Sequence, residues 1–312
     1  MPNLFWKRPT GQTLNAIESP FSTEEELEEY LYKTRELLSD LFILKRQVHT
    51  GRGSEIPDLI AIDKEGSVVI IELKNDVATE EIIPQVLRYA IWAETNPDSI
   101  RALWLELPEK PEDISIPWDN LTVKIVIIAP SILPRVLRLA NKINYPVSLL
   151  EIKRFSIEEH EFILTNELEP ESETRVSITR GREIYDRDFY LANCNKSSVP
   201  KFFETIEQID KLVHEKKWTL EKKMNKYYVT YKYGFPQVFG IEWIGSKSFG
   251  LFFKLPKEKA NSIEISGITP HRYEEEWKQV LYKVESPEKD VRKLLPLFEA
   301  AFKHITGIEE TE

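Results

Sequence analysis

The chain has 312 residues, a single cysteine and a formal net charge of −10. This length suits roughly two domains of ~150 residues each, with cores large enough to need no covalent staple. One cysteine, Cys194, excludes an internal disulfide and a cysteine-rich zinc site, and it fits a reducing cytoplasm.

In chain order, MPNLFWKRPT (1–10) lacks the apolar core of a signal peptide. STEEELEEYLYKTRELLSDL (22–41) predicts a helix. Ser22 or Thr23 can cap it, acids fill its first turn, and Leu27, Leu31 and Leu38 recur at helical spacing. LFILKRQVHT (41–50) predicts a strand and GRGSE (51–55) a loop. PDLIAIDKEGSVVIIELK (57–74) predicts two strands around a tight turn. ATEEIIPQVLRYAIWAE (78–94) predicts a second helix, with Thr79 as its cap and Pro84 tolerated near its start. LTVKIVIIA (121–129) predicts a buried strand, SILPRVLRLANKI (131–143) a helix and YPVSLLEIKRF (145–155) another strand. KIVIIAPSILP is among the most apolar stretches, yet it falls short of the ~18–20 residues a membrane span needs. The expectation is a soluble cytoplasmic protein with no membrane partner.

This order of elements predicts an α/β unit over 1–165, a mixed sheet covered by helices on both faces. Residues 166–188 are polar and aperiodic, which predicts a linker or long loop. Residues 189–312 predict a smaller α+β domain: a helix over 199–217, the strands KYYVTYKYG, QVFGIEWI, SFGLFFKLP and WKQVLYKVES, and a last helix over 289–305.

Charge is distributed unevenly. Of 42 Lys+Arg and 52 Asp+Glu, residues 189–312 hold 20 and 18, which leaves 22 against 34 in the first part. Residues 201–260 alone hold 12 lysines against 7 acids, and the bases are interleaved with rings: Lys216, Lys217, Trp218, Lys222, Lys223, Lys226, Tyr227, Tyr228, Tyr231, Lys232 and Tyr233. Lysines beside exposed rings can track a nucleic-acid backbone and stack its bases. Alternate rings of a strand can equally form its core, with lysines guarding sheet edges. Lys222 and Lys223 are the nucleic-acid-binding candidates here.

The stretch 57–74 carries the chemistry. Lys64-Glu65-Gly66 fits a three-residue hairpin loop with glycine in the left-handed position. In that register residue i faces residue 130 − i, so Asp58 faces Glu72, with Cβ atoms ~4.5–5.5 Å apart; a bulge would slip this by one. Lys74, two residues on, shares the face of Glu72. Two carboxylates and an ammonium thus meet at one end of a sheet. Close carboxylates repel unless something compensates. Lys74 offsets part of the repulsion; a hard divalent cation would offset more, and it could polarise a phosphate and activate water. The five histidines (49, 160, 214, 271 and 304) have no ligand spacing, and no phosphate-binding P-loop is present.

Pro57-Asp58 followed by Glu72-Leu73-Lys74 resembles the PD-(D/E)xK nuclease signature, and Gln85-Val-Leu-Arg-Tyr89 is similar to the QxxxY element of RecB-type members. The wider run TEEELEEYL…RQVHTGRGSEIPDLIAID…GSVVIIELK…QVLRYAIWAE is similar to NucS-like nuclease domains over roughly residues 20–155. The resemblance implies a restriction-endonuclease-like fold and a metal-dependent deoxyribonuclease with DNA as partner, in a family where many members are homodimers. It implies Asp58 and Glu72 as ligands of Mg²⁺ or Mn²⁺, with the backbone carbonyl of Leu73 adding a third. Lys74 would orient or activate the attacking water, Gln85 would hold that shell, and Tyr89 follows one turn later. A glutamate of the first helix would complete the site; Glu24 and Glu28 share a face, and Glu24 is preferred. Arg52 is a candidate phosphate contact. The loop GRGSEIPD departs from the family pattern in a way that bears on access to the metal. The competing reading is a catalytically silent module of the same fold that binds nucleic acid or regulates.

Overall fold

The computed structural model describes residues 4–8, 11–38, 40–47, 57–108, 110–111, 114–168, 185–245 and 247–308. The chain divides into two compact units, Met1–Arg182 and Glu183–Glu312.

The first unit contains β1 (Leu4–Lys7), β2 (Thr13–Glu18), α1 (Glu24–Lys33), β3 (Leu41–Arg46), β4 (Leu59–Asp63), β5 (Val68–Leu73), β6 (Val77–Ala78), α2 (Ile82–Thr95), α3 (Pro97–Glu106), β7 (Val123–Ala129), β8 (Ser131–Ile132), α4 (Pro134–Ala140), β9 (Val147–Ile157) and β10 (His160–Leu168). Its main sheet runs β1-β2-β9-β7-β5-β4-β3, with β10 also paired to β9. Strands β3, β4 and β5 pair antiparallel. Strands β5, β7 and β9 pair parallel, and their crossovers carry α2 and α3, then α4, because parallel neighbours need long connections. The mixed α/β sheet expected from the sequence is the one the chain forms.

Every residue of β4 and β5 is buried. One side of the hairpin, with Ile60, Ile62, Val68 and Ile70, packs with Val86, Ala90 and Ala93 of α2 and Val136 of α4. The alternate residues Leu59, Ala61, Val69 and Ile71 are buried as well. Helix α1 lies against β5 and buries Leu27 and Leu31 completely. Burial on both faces explains the near-continuous apolar run of the hairpin.

The hairpin register matches the expectation: Leu59 faces Ile71, Ile60 faces Ile70, Ala61 faces Val69 and Ile62 faces Val68. Gly66 turns the chain at φ 77°, and its N–H donates to the Asp63 carbonyl at 3.0 Å. The Asp63 carboxylate accepts the N–H groups of Glu65 and Ser67, both at 2.9 Å. Lys124 closes the turn with ion pairs to Asp63 at 2.6 Å and Glu65 at 2.5 Å.

Several elements depart from the sequence expectation. The first helix ends at Lys33, where Thr34 leaves helical conformation, and a 3₁₀ turn follows over Arg35–Leu38. Its cap is Thr23, whose hydroxyl accepts the Glu26 N–H at 3.1 Å. Thr79 does not cap α2; that helix starts at Ile82 after Glu81, and Thr79 accepts the Ile82 N–H through its backbone carbonyl at 3.2 Å. Strands β1, β2 and β10 and helix α3 were not expected. Their apolar alternation is weak because they stand largely exposed.

The second unit contains α5 (Arg187–Asn193), α6 (Val199–Glu215), β11 (Glu221–Met224), β12 (Tyr228–Lys232), β13 (Gln237–Ile244), β14 (Ser248–Lys254), α7 (Lys257–Asn261), β15 (Arg272–Glu274), β16 (Gln279–Lys283), α8 (Pro287–Lys293) and α9 (Leu295–Thr306). An antiparallel sheet, β11-β12-β13-β14-β16-β15, packs on an aromatic core that includes Phe202, Trp218, Tyr231, Phe239, Phe253 and Phe298. The helix expected over 289–305 is two helices broken at Leu294, because Pro296 cannot donate within the following turn. Of the expected linker 166–188, residues 169–184 lie outside the described residues, 166–168 complete β10 and 187–188 open α5. Among the described residues no helix is long and apolar enough to cross a membrane.

A Cβ at position 66 would lie 2.4 Å from the Ser115 carbonyl oxygen, on a backbone already left-handed. We therefore expect Gly66→Ala to destabilise the first unit by about 1–3 kcal/mol, read as a lower urea midpoint with unchanged slope. An unchanged midpoint would mean that the turn is not held as described.

Candidate active site

Asp58 directly precedes β4 and Glu72 stands near the end of β5, so the hairpin register brings both to one end of the sheet. The backbone N–H of Leu73 donates to Asp58 Oδ2 at 2.7 Å. Glu72 is only 1% exposed. Its Oε1 accepts from Lys74 Nζ at 2.9 Å and from Gln85 Nε2 at 2.6 Å. Its Oε2 is buried and has no hydrogen-bond partner. The Gln85 amide also donates to the Tyr89 hydroxyl at 3.1 Å, one turn further along α2. The three side chains form a chain in which the helix fixes the strand carboxylate.

Helix α1 supplies the rest of the frame. Glu24 Oε1 lies 3.2 Å from Lys74 Nζ. The Asn75 amide donates to the Ser22 carbonyl at 3.2 Å and ties the start of the helix to the end of β5. Glu28, 2% exposed, pairs with Arg46 at the end of β3 and accepts from Gln47 Nε2 at 3.2 Å. Arg46 also reaches Glu29 at 2.6 Å.

The electrostatics follow from burial. Burial pushes Asp58 up to about 6, against the Leu73 N–H and the Lys74 charge; Glu24 and Glu28 add to the rise. Burial, followed by the charge of Asp58, pushes Glu72 up to about 8, with Lys74 opposing. Burial alone would lower Lys74, but Glu72 and Glu24 outweigh it and hold the ammonium above its ordinary value. Lys74 is therefore a fixed positive charge at neutral pH, and the two carboxylates resist ionising together.

The structure thus gathers Asp58, Glu72, Leu73, Lys74, Gln85, Tyr89 and Glu24. Arg46 and Gln47 were not singled out from the sequence, where the pair reads only as the polar end of a strand. Arg52 lies outside the described residues. Lys222 and Lys223 belong to β11 of the second unit, and Lys222 is bound to Asp210 at 2.6 Å. Trp218 and Tyr231 are core residues, and the Tyr231 hydroxyl donates to Asp210 at 2.7 Å. These two rings therefore do not serve as a stacking platform; Tyr227 and Tyr233 are the exposed ones.

Solved structures similar to part of the chain include a repair endonuclease from Pyrococcus abyssi, at 20% identity and a TM-score of 0.30 over 43% of this chain and 50% of that one. An EndoMS–dsDNA complex aligns at 21% identity and a TM-score of 0.30, over 43% of this chain and 46% of the other. EndoMS in apo form aligns at 19% identity and a TM-score of 0.24, over 45% and 51%. The chain spans about half the length of each of these structures. Neither a family model nor a curated protein sequence matches it.

A carboxyl whose folded pKa is raised contributes stability that is full below the ordinary carboxylate range. That contribution is lost as pH rises through the folded value. For Glu72 the window runs from the ordinary 4.5 to about 8. In protein stripped of divalent ions, the melting temperature of Glu72→Gln should gain on that of wild type as pH rises through this window. Each kcal/mol is worth roughly 2–4 °C in a unit of this size. A difference that stays constant with pH would show that Glu72 titrates as an ordinary carboxyl.

Proposed function

We propose that the first unit is a Mg²⁺- or Mn²⁺-dependent nuclease that hydrolyses phosphodiester bonds in DNA. The observation that carries this reading is the buried, unpartnered Oε2 of Glu72 beside Asp58, with one ammonium serving several acids. A buried acceptor without a donor is costly, and a cation is the partner that such a carboxylate pair fits. Among the described residues no group of three or more His, Cys, Asp or Glu side chains is arranged to hold a metal. The resemblance gives Asp58, Glu72 and the Leu73 carbonyl as the donor set. So sparse a set suits Mg²⁺, which binds through one or two carboxylates and keeps several waters. When bound, such an ion polarises a phosphoryl oxygen and lowers the pKa of bound water.

The chain's own groups have separate tasks. Gln85, backed by Tyr89, holds the Glu72 carboxylate in one orientation. The Leu73 N–H does the same for Asp58. Lys74 is held between Glu72 and Glu24 and stays protonated. It orients the attacking water by hydrogen bonding and stabilises charge that develops on the phosphate. DNA as substrate rests on the resemblance of residues 20–155 to NucS-like domains. The second unit would contribute substrate binding or dimerisation.

Purified protein incubated with supercoiled plasmid and with single-stranded DNA should cleave in Mg²⁺ or Mn²⁺ and not in EDTA. Asp58→Ala and Lys74→Ala should each lose about 10²–10³-fold or more in rate. Cleavage that persists in both variants, or in EDTA, would overturn the assignment.

A further inference from the structure

The junction between β3 and β4 holds a backbone strain that the proposed chemistry does not account for. Gln47, directly after β3, adopts φ 50° although it is not glycine. A side chain in that region is strained and persists only where its surroundings enforce it. Here the surroundings are specific. The Gln47 N–H donates to the backbone carbonyl of Asp58 at 2.8 Å, and its side-chain amide donates to Glu28 Oε2 at 3.2 Å. The other oxygen of Glu28 is taken by Arg46, whose guanidinium also bonds Glu29 at 2.6 Å and lies 4.9 Å from the centre of the Tyr32 ring. Glu28 is 2% exposed, and each of its oxygens is engaged in one of these bonds.

We infer that Gln47 and Glu28 form a positioning clamp for Asp58. Glu28 acts as a buried strut from α1, and Gln47 transmits its position through one residue to the backbone that carries the carboxylate. The Asp58 main chain is gripped by Gln47 while its side chain is gripped by the Leu73 N–H, so the carboxylate has two fixed points. On this account Glu28 is a positioning residue and not a metal ligand, and the Gln47 N–H holds the Asp58 carbonyl. The inference rests on the metal-dependent reading of the site.

The test measures Mn²⁺ binding to the full chain by calorimetry, without DNA, in wild type, Asp58→Ala, Gln47→Glu and Gln47→Gly. Gln47→Glu keeps the size of the side chain and sets a like charge against Glu28. Gln47→Gly adopts the left-handed backbone without strain, keeps the N–H and removes the amide, so it guards against simple misfolding. Loss of an outer partner of this kind should weaken Mn²⁺ binding by roughly 10–100-fold in both Gln47 variants, with the melting temperature of the glycine variant held within a few degrees. In plasmid cleavage kcat should fall while KM for DNA stays unchanged. A folded Gln47→Gly that binds Mn²⁺ as tightly as wild type would overturn the clamp and leave the metal site standing. No Mn²⁺ binding by wild type would overturn the metal reading itself, and the clamp with it.

Discussion

Two carboxylates, Asp58 and Glu72, are brought together at one end of a hairpin whose adjoining residues Leu59, Ile71 and Leu73 are apolar and fully buried. Taking such a pair out of water is costly unless the charges are compensated. The fold meets that cost with specific partners rather than exposure. Glu72 receives an ammonium and an amide on one oxygen, and Asp58 receives a backbone N–H. What remains uncompensated is one buried oxygen of Glu72 and the burial that raises both pKa values, to which the charge of Asp58 adds at Glu72. The amide comes from α2, and the ammonium and the N–H come from adjacent residues at the end of β5, so the pair requires the hairpin and α2 to be in place together.

That dependence gives the topology its function. The antiparallel β4–β5 pairing brings the two acids to one end of the hairpin, and the parallel pairing of β5 with β7 covers its other edge. The crossover from β5 to β7 delivers α2, and with it Gln85, to the face where Glu72 points. Helix α1 delivers Glu24 to Lys74 and Glu28 to the β3 end. The far end of the same hairpin is closed by the Asp63–Lys124–Glu65 ion pairs and the buried Gly66 turn. A slip of one residue would turn the apolar residues of β5 to the opposite face and move Glu72 away from Gln85, so register and site are secured by the same contacts.

The hairpin was legible in residues 57–74 because its signals agree: a left-handed glycine, a fixed register and continuous apolar strands. The element types of the core were legible for the same reason. What stayed hidden had weak or non-local signals. Strands β1, β2 and β10 lie at the exposed side of the sheet, so their sequences carry polar residues where alternation would normally show. Helix α3 is announced only by Pro97 at its start. The glutamine at 47 gave no hint of a positive φ, because a glycine or asparagine is the usual mark of one. In the second unit, the interleaved bases and rings of 216–233 separate by burial: Trp218 and Tyr231 enter the core, and Lys222 is spent on Asp210. Composition alone cannot make that division, because a strand's two faces share one sequence.

The acidity of the first part looks adverse for a protein proposed to act on a polyanion, and the site explains how the two agree. Glu28 is paired with Arg46, although its charge still adds to the rise of Asp58. Asp58, Glu72 and Glu24 then stand against Lys74 alone, three negative charges against one positive. Without a cation the carboxylate pair retains a proton near neutral pH, as the raised values of Asp58 and Glu72 require, and an approaching phosphate meets residual negative charge. A divalent cation held by Asp58 and Glu72, as proposed, would displace that proton and bring the group to neutrality, so its binding would release a proton and tighten as pH rises. On the proposed function, attraction for the scissile phosphate therefore resides in the metal-loaded site, which makes the acidity of the surrounding surface compatible with cleavage.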